Sequence, residues 1–253
     1  MNFLAHLALA GDPRTWSLPA ASAPKPDRVP GTVESTGFLE PLTLVGSLLP
    51  DLARDVPAFR GRRGETSPDL PVPVRRAIKQ HRLVDRVTDT HPAFLRNRAR
   101  LTPRYGRFAG VVADVLFDHA LSKRWDATAK PSLGSNATKT RIPRFPPASR
   151  PAFIAAAHTA LESEAGREVM HPGMRRVVDA MIEHRWLDRY ATPAGLERTF
   201  LELSYRFTRR YGRDVDLSGI DDHLDQHAPA LLADFDELWD SLIARVVADL
   251  DDA

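Results

Sequence analysis

The stretch Val111-Val112-Ala113-Asp114-Val115-Leu116-Phe117-Asp118-His119-Ala120-Leu121 is apolar enough to be core, yet it carries two acids and a histidine. Val111, Val112, Val115, Leu116, Phe117 and Leu121 read as a buried helix. Asp114 and Asp118 are four residues apart, so they share one face of it. A lone buried carboxylate is costly unless it is paired or holds a metal. Upstream, His81-Arg82-Leu83-Val84-Asp85-Arg86-Val87-Thr88-Asp89 repeats the pattern, with His81, Asp85 and Asp89 in one column. Two such helices in succession suggest a metal site between helices. The same residues also fit two plainer arrangements. One is a solvent-facing helix on which Arg82 and Arg86 pair with the acids; the other is a buried ion-pair network around Asp118.

Helical patterns extend in both directions from this pair. The spacing predicts helices near 2–10, 42–54, 72–100, 104–125, 151–165, 172–190, 193–211 and 221–250. Pro172 and Pro193 sit where first-turn prolines belong, and Asp221 or Asp222 is a cap for the last helix. Strand alternation and internal repeats are both missing from the sequence. Residues 12–41, 57–73 and 126–147 read as loops rich in Pro, Ser, Thr or basic residues. Loops of that length are uncommon inside compact domains, so the first and third are expected to be insertions, one of them a lid over the site. At 253 residues the chain can bury a full core. The expected fold is therefore all-α: a single helical domain, 1–253, with irregular Pro-rich insertions at about 12–41 and 126–147.

Composition narrows the chemistry. There is no cysteine, which excludes disulfides and thiolate metal sites and fits a reducing cytoplasm. The apolar start ends in Ala8-Leu9-Ala10-Gly11, which imitates a signal-peptidase site. It lacks a basic leader and its apolar run is short, so it reads as a first amphipathic helix carrying His6. No stretch reaches the roughly 20 apolar residues of a membrane span. The net charge is +2, but it is unevenly spread. Residues 51–107 hold 14 Lys and Arg against 6 Asp and Glu, whereas 214–253 hold 12 acids and one Arg. The basic part is either a solvated surface or a docking face for an acidic partner. Nucleic acid is not expected as that partner, since no interleaved aromatics and no nucleic-acid motif accompany the charge.

His6, Asp51, His81, Asp85, Asp89, Asp114, Asp118 and His119 form an oxygen-rich set with a few imidazoles. Such a set suits Mn²⁺, Mg²⁺ or Fe²⁺ better than structural zinc. A metal there would activate a water and polarise a phosphoryl oxygen. Arg82 is placed to steady a phosphate. A Walker loop, a G-x-S-x-G elbow and a dinucleotide fingerprint are all lacking, which argues against a serine hydrolase or a nucleotide-driven enzyme.

Five motifs in order carry a resemblance. They are Met1-Asn2-Phe3-Leu4-Ala5-His6-Leu7, then Gly46-Ser47-Leu48-Leu49-Pro50-Asp51, then His81-Arg82-Leu83-Val84-Asp85 with Thr88-Asp89. Next comes Asp114-Val115-Leu116-Phe117-Asp118-His119 with Leu121, Ser122 and Trp125, and more loosely Trp186-Leu187-Asp188-Arg189-Tyr190. The chain thereby resembles the acyl-carrier-protein phosphodiesterase family, closely in its N-terminal half. That family is all-helical and regarded as an atypical branch of the HD phosphohydrolases. The resemblance implies a Mn²⁺-supported enzyme that hydrolyses the phosphodiester joining 4′-phosphopantetheine to a serine of holo-acyl carrier protein. It also implies a site built from Asp51, His81, Asp85, Asp114, Asp118 and His119, with His6 and Asp89 contributing. In the resulting expectation His6, Asp51, His81, Asp85, Asp114 and Asp118 hold the metal. Asp51, Asp118, His119 and Arg82 serve catalysis, and Asp89 orients His81 from behind. Ser47 stands where many relatives have Asn, and Lys79 where some have His. Since acyl carrier proteins are acidic, Arg60, Arg62, Arg63, Arg75 and Arg76 are the expected docking residues. Two other readings fit the residues: an HD-like phosphohydrolase for a small nucleotide or other phosphodiester, and a non-catalytic helical binding protein.

Overall fold

A computed structural model describes residues 3–10, 40–55, 70–128, 145–146 and 148–251. Among them every regular element is helical, and the all-α expectation is met. The bulk of both expected insertions, together with Arg60, Arg62 and Arg63, lies outside the described residues. The helices are α1 (Phe3–Ala8), α2 (Pro41–Asp55), α3 (Val72–Thr90), α4 (Pro92–Tyr105), α5 (Ala109–Thr128) and α6 (Arg150–Glu162). They continue with α7 (Glu164–Glu168), α8 (Pro172–Glu183), α9 (Trp186–Arg189), α10 (Pro193–Tyr211) and α11 (Ile220–Asp251). A 3₁₀ turn, Gly106–Phe108, joins α4 to α5.

The differences from expectation lie at helix ends and have local causes. The helix expected over 72–100 is two. His91 is extended and its Nδ1 accepts the Ala93 N–H at 3.2 Å, while Pro92 opens α4. A proline has no N–H to offer the preceding turn, so it begins a helix more readily than it continues one. The helix expected over 151–165 ends at Glu162, where Ser163 both closes α6 and caps α7 by accepting the Gly166 N–H at 3.1 Å. The helix expected over 172–190 breaks at Arg185, whose φ of 52° is left-handed. Pro172 and Pro193 do open α8 and α10. Asp221 and Asp222 lie inside the first turn of α11 instead of preceding it, where their charge still favours the positive end of the helix dipole. α5 continues to Thr128, past the start of the loop expected from 126.

The chain divides into two compact units. One comprises Met1–Ala5, Asp85–Ser132 and Asp179–Leu242. Its core includes Leu101, Leu116, Leu121 and Phe200, and an aromatic run in which Phe94 stacks on Phe117 at 5.6 Å and Phe235 on Trp239 at 5.6 Å. Here the basic and acidic stretches meet. Arg96 and Arg100 of α4 hold the buried Asp234 of α11, and Arg96 also reaches Glu237. Arg124 of α5 pairs with Asp236. The other unit comprises His6–Val84, Leu133–Val178 and Ile243–Ala253. In it Leu44, Leu48, Val74, Ile78, Phe153 and Leu161 are buried, and Lys79 pairs with Asp249 at 3.2 Å. Part of the positive excess read from the sequence is thus neutralised within the chain.

Candidate metal centre

His6 sits on a helix of six residues, far shorter than a helix that is stable alone in water. Two features hold it. Phe3, Leu4 and Leu7 are buried around its turn, and its first N–H groups have a partner. Asp118 of α5 accepts the Leu4 N–H through Oδ2 at 3.2 Å and the Ala5 N–H through Oδ1 at 3.0 Å. The carboxyl is fully buried. Burial pushes its pKa up to about 8, against the two N–H bonds, which pull the other way. The acid that marks the sequence so plainly is therefore an N-terminal anchor for the helix carrying His6.

His81 is fixed from one side. Its buried ring points Nδ1 at the Ser47 carbonyl of α2, 2.7 Å away. A carbonyl only accepts, so Nδ1 carries a proton; in the neutral ring the lone pair is then on Nε2, the tautomer a metal ligand needs. The orienting role expected of Asp89 is filled by this backbone oxygen. Asp89 itself is exposed. The close approach of α2 rests on Gly46. A Cβ there would stand 2.7 Å from the Val74 carbonyl oxygen and 2.8 Å from the Ala77 Cβ, both on α3. Gly46→Ala is expected to destabilise the protein by about 1–3 kcal/mol, the usual cost of overpacking, and to weaken metal binding by displacing Ser47. Urea unfolding and a metal titration check this; an unchanged midpoint and affinity would contradict it.

The rings of His6 and His81 stack with centroids 3.8 Å apart and planes 18° from parallel. Asp85 follows His81 by one helical turn and is half-buried. One ligand atom from each of His6, His81 and Asp85 lies within 4.8 Å of the other two. Ligands of one ion, with bonds of about 2.0–2.2 Å, stand up to about 4.4 Å apart, so the three converge on one coordination sphere with little adjustment. Two imidazoles and a carboxylate suit a divalent transition ion better than calcium, which prefers oxygen alone. Among the described residues no other set of three or more His, Asp or Glu has this spacing. Asp51 is buried, Asp114 and Arg82 are half-buried, and none of them belongs to the set.

His119 is held in a similar way. Its Nδ1 donates to the Tyr190 carbonyl at 2.6 Å, and burial lowers its pKa, so the ring is neutral with its lone pair on Nε2. Tyr190 ends the loosely matching motif that begins at Trp186, which gives that motif a purpose. Sequence reasoning missed both orienting carbonyls, since a backbone oxygen leaves no side-chain signature.

A family model described as acyl carrier protein phosphodiesterase matches residues 39–142 and 139–242. A protein of that name from Photorhabdus laumondii is 29% identical over 240 residues, covering 94% of this chain and 89% of its own. One from Yersinia enterocolitica is 30% identical over 192 residues, covering 76% and 71%. One from Klebsiella pneumoniae is 24% identical over 230 residues, covering 89% of each. No solved structure matches the chain.

Proposed function

Because the chain belongs to the acyl carrier protein phosphodiesterase family, we propose that it hydrolyses the phosphodiester between 4′-phosphopantetheine and the serine of holo-acyl carrier protein. The observation that carries the reading is the convergence of His6, His81 and Asp85 within a chain matched by that family along most of its length. These three residues would hold a divalent cation, with Mn²⁺ the first choice and Mg²⁺ or Fe²⁺ the alternatives. Such a cation, when bound, supplies Lewis acidity to a phosphoryl oxygen and makes a water more acidic.

The chain's own groups do the rest. The Ser47 carbonyl keeps the His81 lone pair on Nε2. Asp118 keeps the helix bearing His6 in place. Asp51 and Asp114 are further carboxylates for the site, and Arg82 balances the charge of the phosphodiester. His119 accepts the proton of the attacking water at Nε2 and returns it to the serine oxygen. The new bond joins water oxygen to phosphorus, the bond from phosphorus to the serine oxygen breaks, and the products are apo-acyl carrier protein and 4′-phosphopantetheine. The described residues contain no helix long and apolar enough to cross a membrane. Together with the lack of cysteine, that supports action in the cytoplasm. We read the chain as one catalytic domain, since α1, α3, α8 and α11 each contribute residues to both units.

A comparison of substrates tests the reading. kcat/KM for holo-acyl carrier protein is expected to exceed that for bis(p-nitrophenyl) phosphate by at least about tenfold, because binding energy away from the reacting bond lowers the barrier. Equal or better turnover of the small diester would favour a small-molecule phosphohydrolase, and no turnover of either a non-catalytic binding protein.

A further inference from the structure

Several arginines are spent on carboxylates: Arg96 and Arg100 on Asp234, Arg124 on Asp236, Arg189 and Arg198 on Glu202. One group differs. Among the described residues Arg107, Arg209, Arg210 and Arg213 enter no ion pair, and all four are exposed. Three of them lie against aromatic rings. The Arg107 guanidinium is 4.2 Å from the centre of the Tyr211 ring and 4.8 Å from that of Phe108. Arg209 stands 5.8 Å from the Tyr205 ring, and Arg210 5.9 Å from that of Tyr211. Phe108 in turn stacks on Phe207 at 5.0 Å. All of these belong to one compact unit.

The two tyrosine rings face water. Tyr205 is 66% exposed, Tyr211 45% and Leu201 57%, so half of the exposed large hydrophobic side chains among the described residues fall on α10. Beside them lies a depression of about 320 Å³ whose rim includes Arg104, Arg107, Phe108, Arg213, Asp214 and Asp216. Asp216 is engaged by the Ser218 N–H at 2.8 Å, and the three guanidiniums of the rim outnumber its two acids. Tyrosine and arginine are the side chains that most often carry binding energy at protein interfaces. A guanidinium propped on a ring is oriented before the partner arrives, and less side-chain freedom is lost when it docks. A partner with clustered carboxylates matches this face in charge, and the tyrosines supply the apolar contact.

We infer that the arginine and tyrosine face formed by Gly106–Phe108 and the C-terminal half of α10, through Arg213, is the docking surface for the acidic carrier-protein substrate. The inference rests on the proposed function for the identity of the partner. It puts docking at a place other than the one expected from Arg75 and Arg76. Arg75 is half-buried and donates to the Leu70 carbonyl at 2.5 Å, while Arg76 is exposed.

The test measures binding apart from turnover. Fluorescence anisotropy with labelled apo- and holo-acyl carrier protein gives the Kd of the wild type, of Arg209→Glu/Arg210→Glu and of Arg75→Glu/Arg76→Glu. Circular dichroism confirms that each is folded; the replaced side chains at 209 and 210 are exposed, so folding is expected to survive. The 209/210 reversal should raise Kd by at least about tenfold, as loss of paired interface charges does, and flatten the salt dependence. KM for holo-carrier protein should rise in parallel while kcat changes little. Arg209→Gln/Arg210→Gln should fall between. Unchanged Kd on 209/210 reversal would overturn the inference, as would a loss confined to the 75/76 reversal, or wild-type binding to a DNA duplex but not to the carrier protein. Binding that depends on 209 and 210 without any hydrolysis would keep the docking face and discard the proposed function. Hydrolysis that is indifferent to 209 and 210 would do the reverse.

Discussion

Replacing His81 by alanine is expected to weaken metal binding by more than about 100-fold, since even residues behind a metal ligand cost roughly 10–100-fold when changed. His81 is the residue on which the centre turns. It shares the ligand group with His6 and Asp85, stacks on the first and shares a helix with the second. Its tautomer is set by a backbone carbonyl that no rearrangement of side chains removes. Two of three ligands remain in the variant, so residual binding at high metal concentration is expected, along with turnover reduced at least in proportion. Calorimetric titration with Mn²⁺ measures the affinity. Melting with and without Mn²⁺ gives an independent readout, because a ligand that binds only the native state raises Tm. The wild type should gain stability from the metal, and His81→Ala should gain much less at the same concentration. A variant that binds Mn²⁺ as the wild type does would remove His81 from the centre.

Asp118→Ala has the largest expected effect on stability. The substitution leaves the Leu4 and Ala5 N–H groups buried without their acceptor. An unmet buried donor costs about 1–3 kcal/mol, and loss of a helix cap about 1 kcal/mol, so a loss of about 2–4 kcal/mol is expected. Loss of activity should follow, since the helix released is the one that carries His6. Asp118→Asn keeps one acceptor and should fall between. The sign of the pH dependence is also fixed. The native carboxyl holds its proton up to about 8, above the ordinary value of 3.8 that applies in the unfolded chain. Its contribution is therefore full below that ordinary value and is lost as pH rises through about 8. Denaturant unfolding of the metal-free protein across that window should show the decline in the wild type and not in Asp118→Asn. A flat wild-type profile would mean that the carboxyl is not buried as described.

The role of Asp118 shows what the sequence reveals and what it withholds. Its spacing from Asp114, inside an apolar run, announces an acid in the core. Its partners lie 113 and 114 residues away in the chain, and nothing in either segment points to the other. The column His81, Asp85, Asp89 was legible as a column, but a helix advances about 100° per residue. Over eight residues that leaves a drift of about 80°, enough to carry Asp89 out to solvent while Asp85 stays with the centre. Helix existence followed from apolar periodicity. The break at His91 was written in Pro92, whereas those at Ser163 and Arg185 rest on a side-chain cap and a left-handed residue that apolar periodicity does not register. Charge patterning gave a basic and an acidic stretch but not their mutual pairing through Asp234 and Asp236. The arginines left over are found only once those pairs are known.

The most direct measurement is the intact mass of holo-acyl carrier protein after incubation with the purified protein and Mn²⁺. Hydrolysis at the serine predicts loss of the 4′-phosphopantetheine mass, appearance of the apo-protein, and release of 4′-phosphopantetheine with its phosphate attached. The His81→Ala protein should leave the substrate mass unchanged over the same time. An unaltered holo mass with the wild type, at any choice among Mn²⁺, Mg²⁺ and Fe²⁺, would contradict the account.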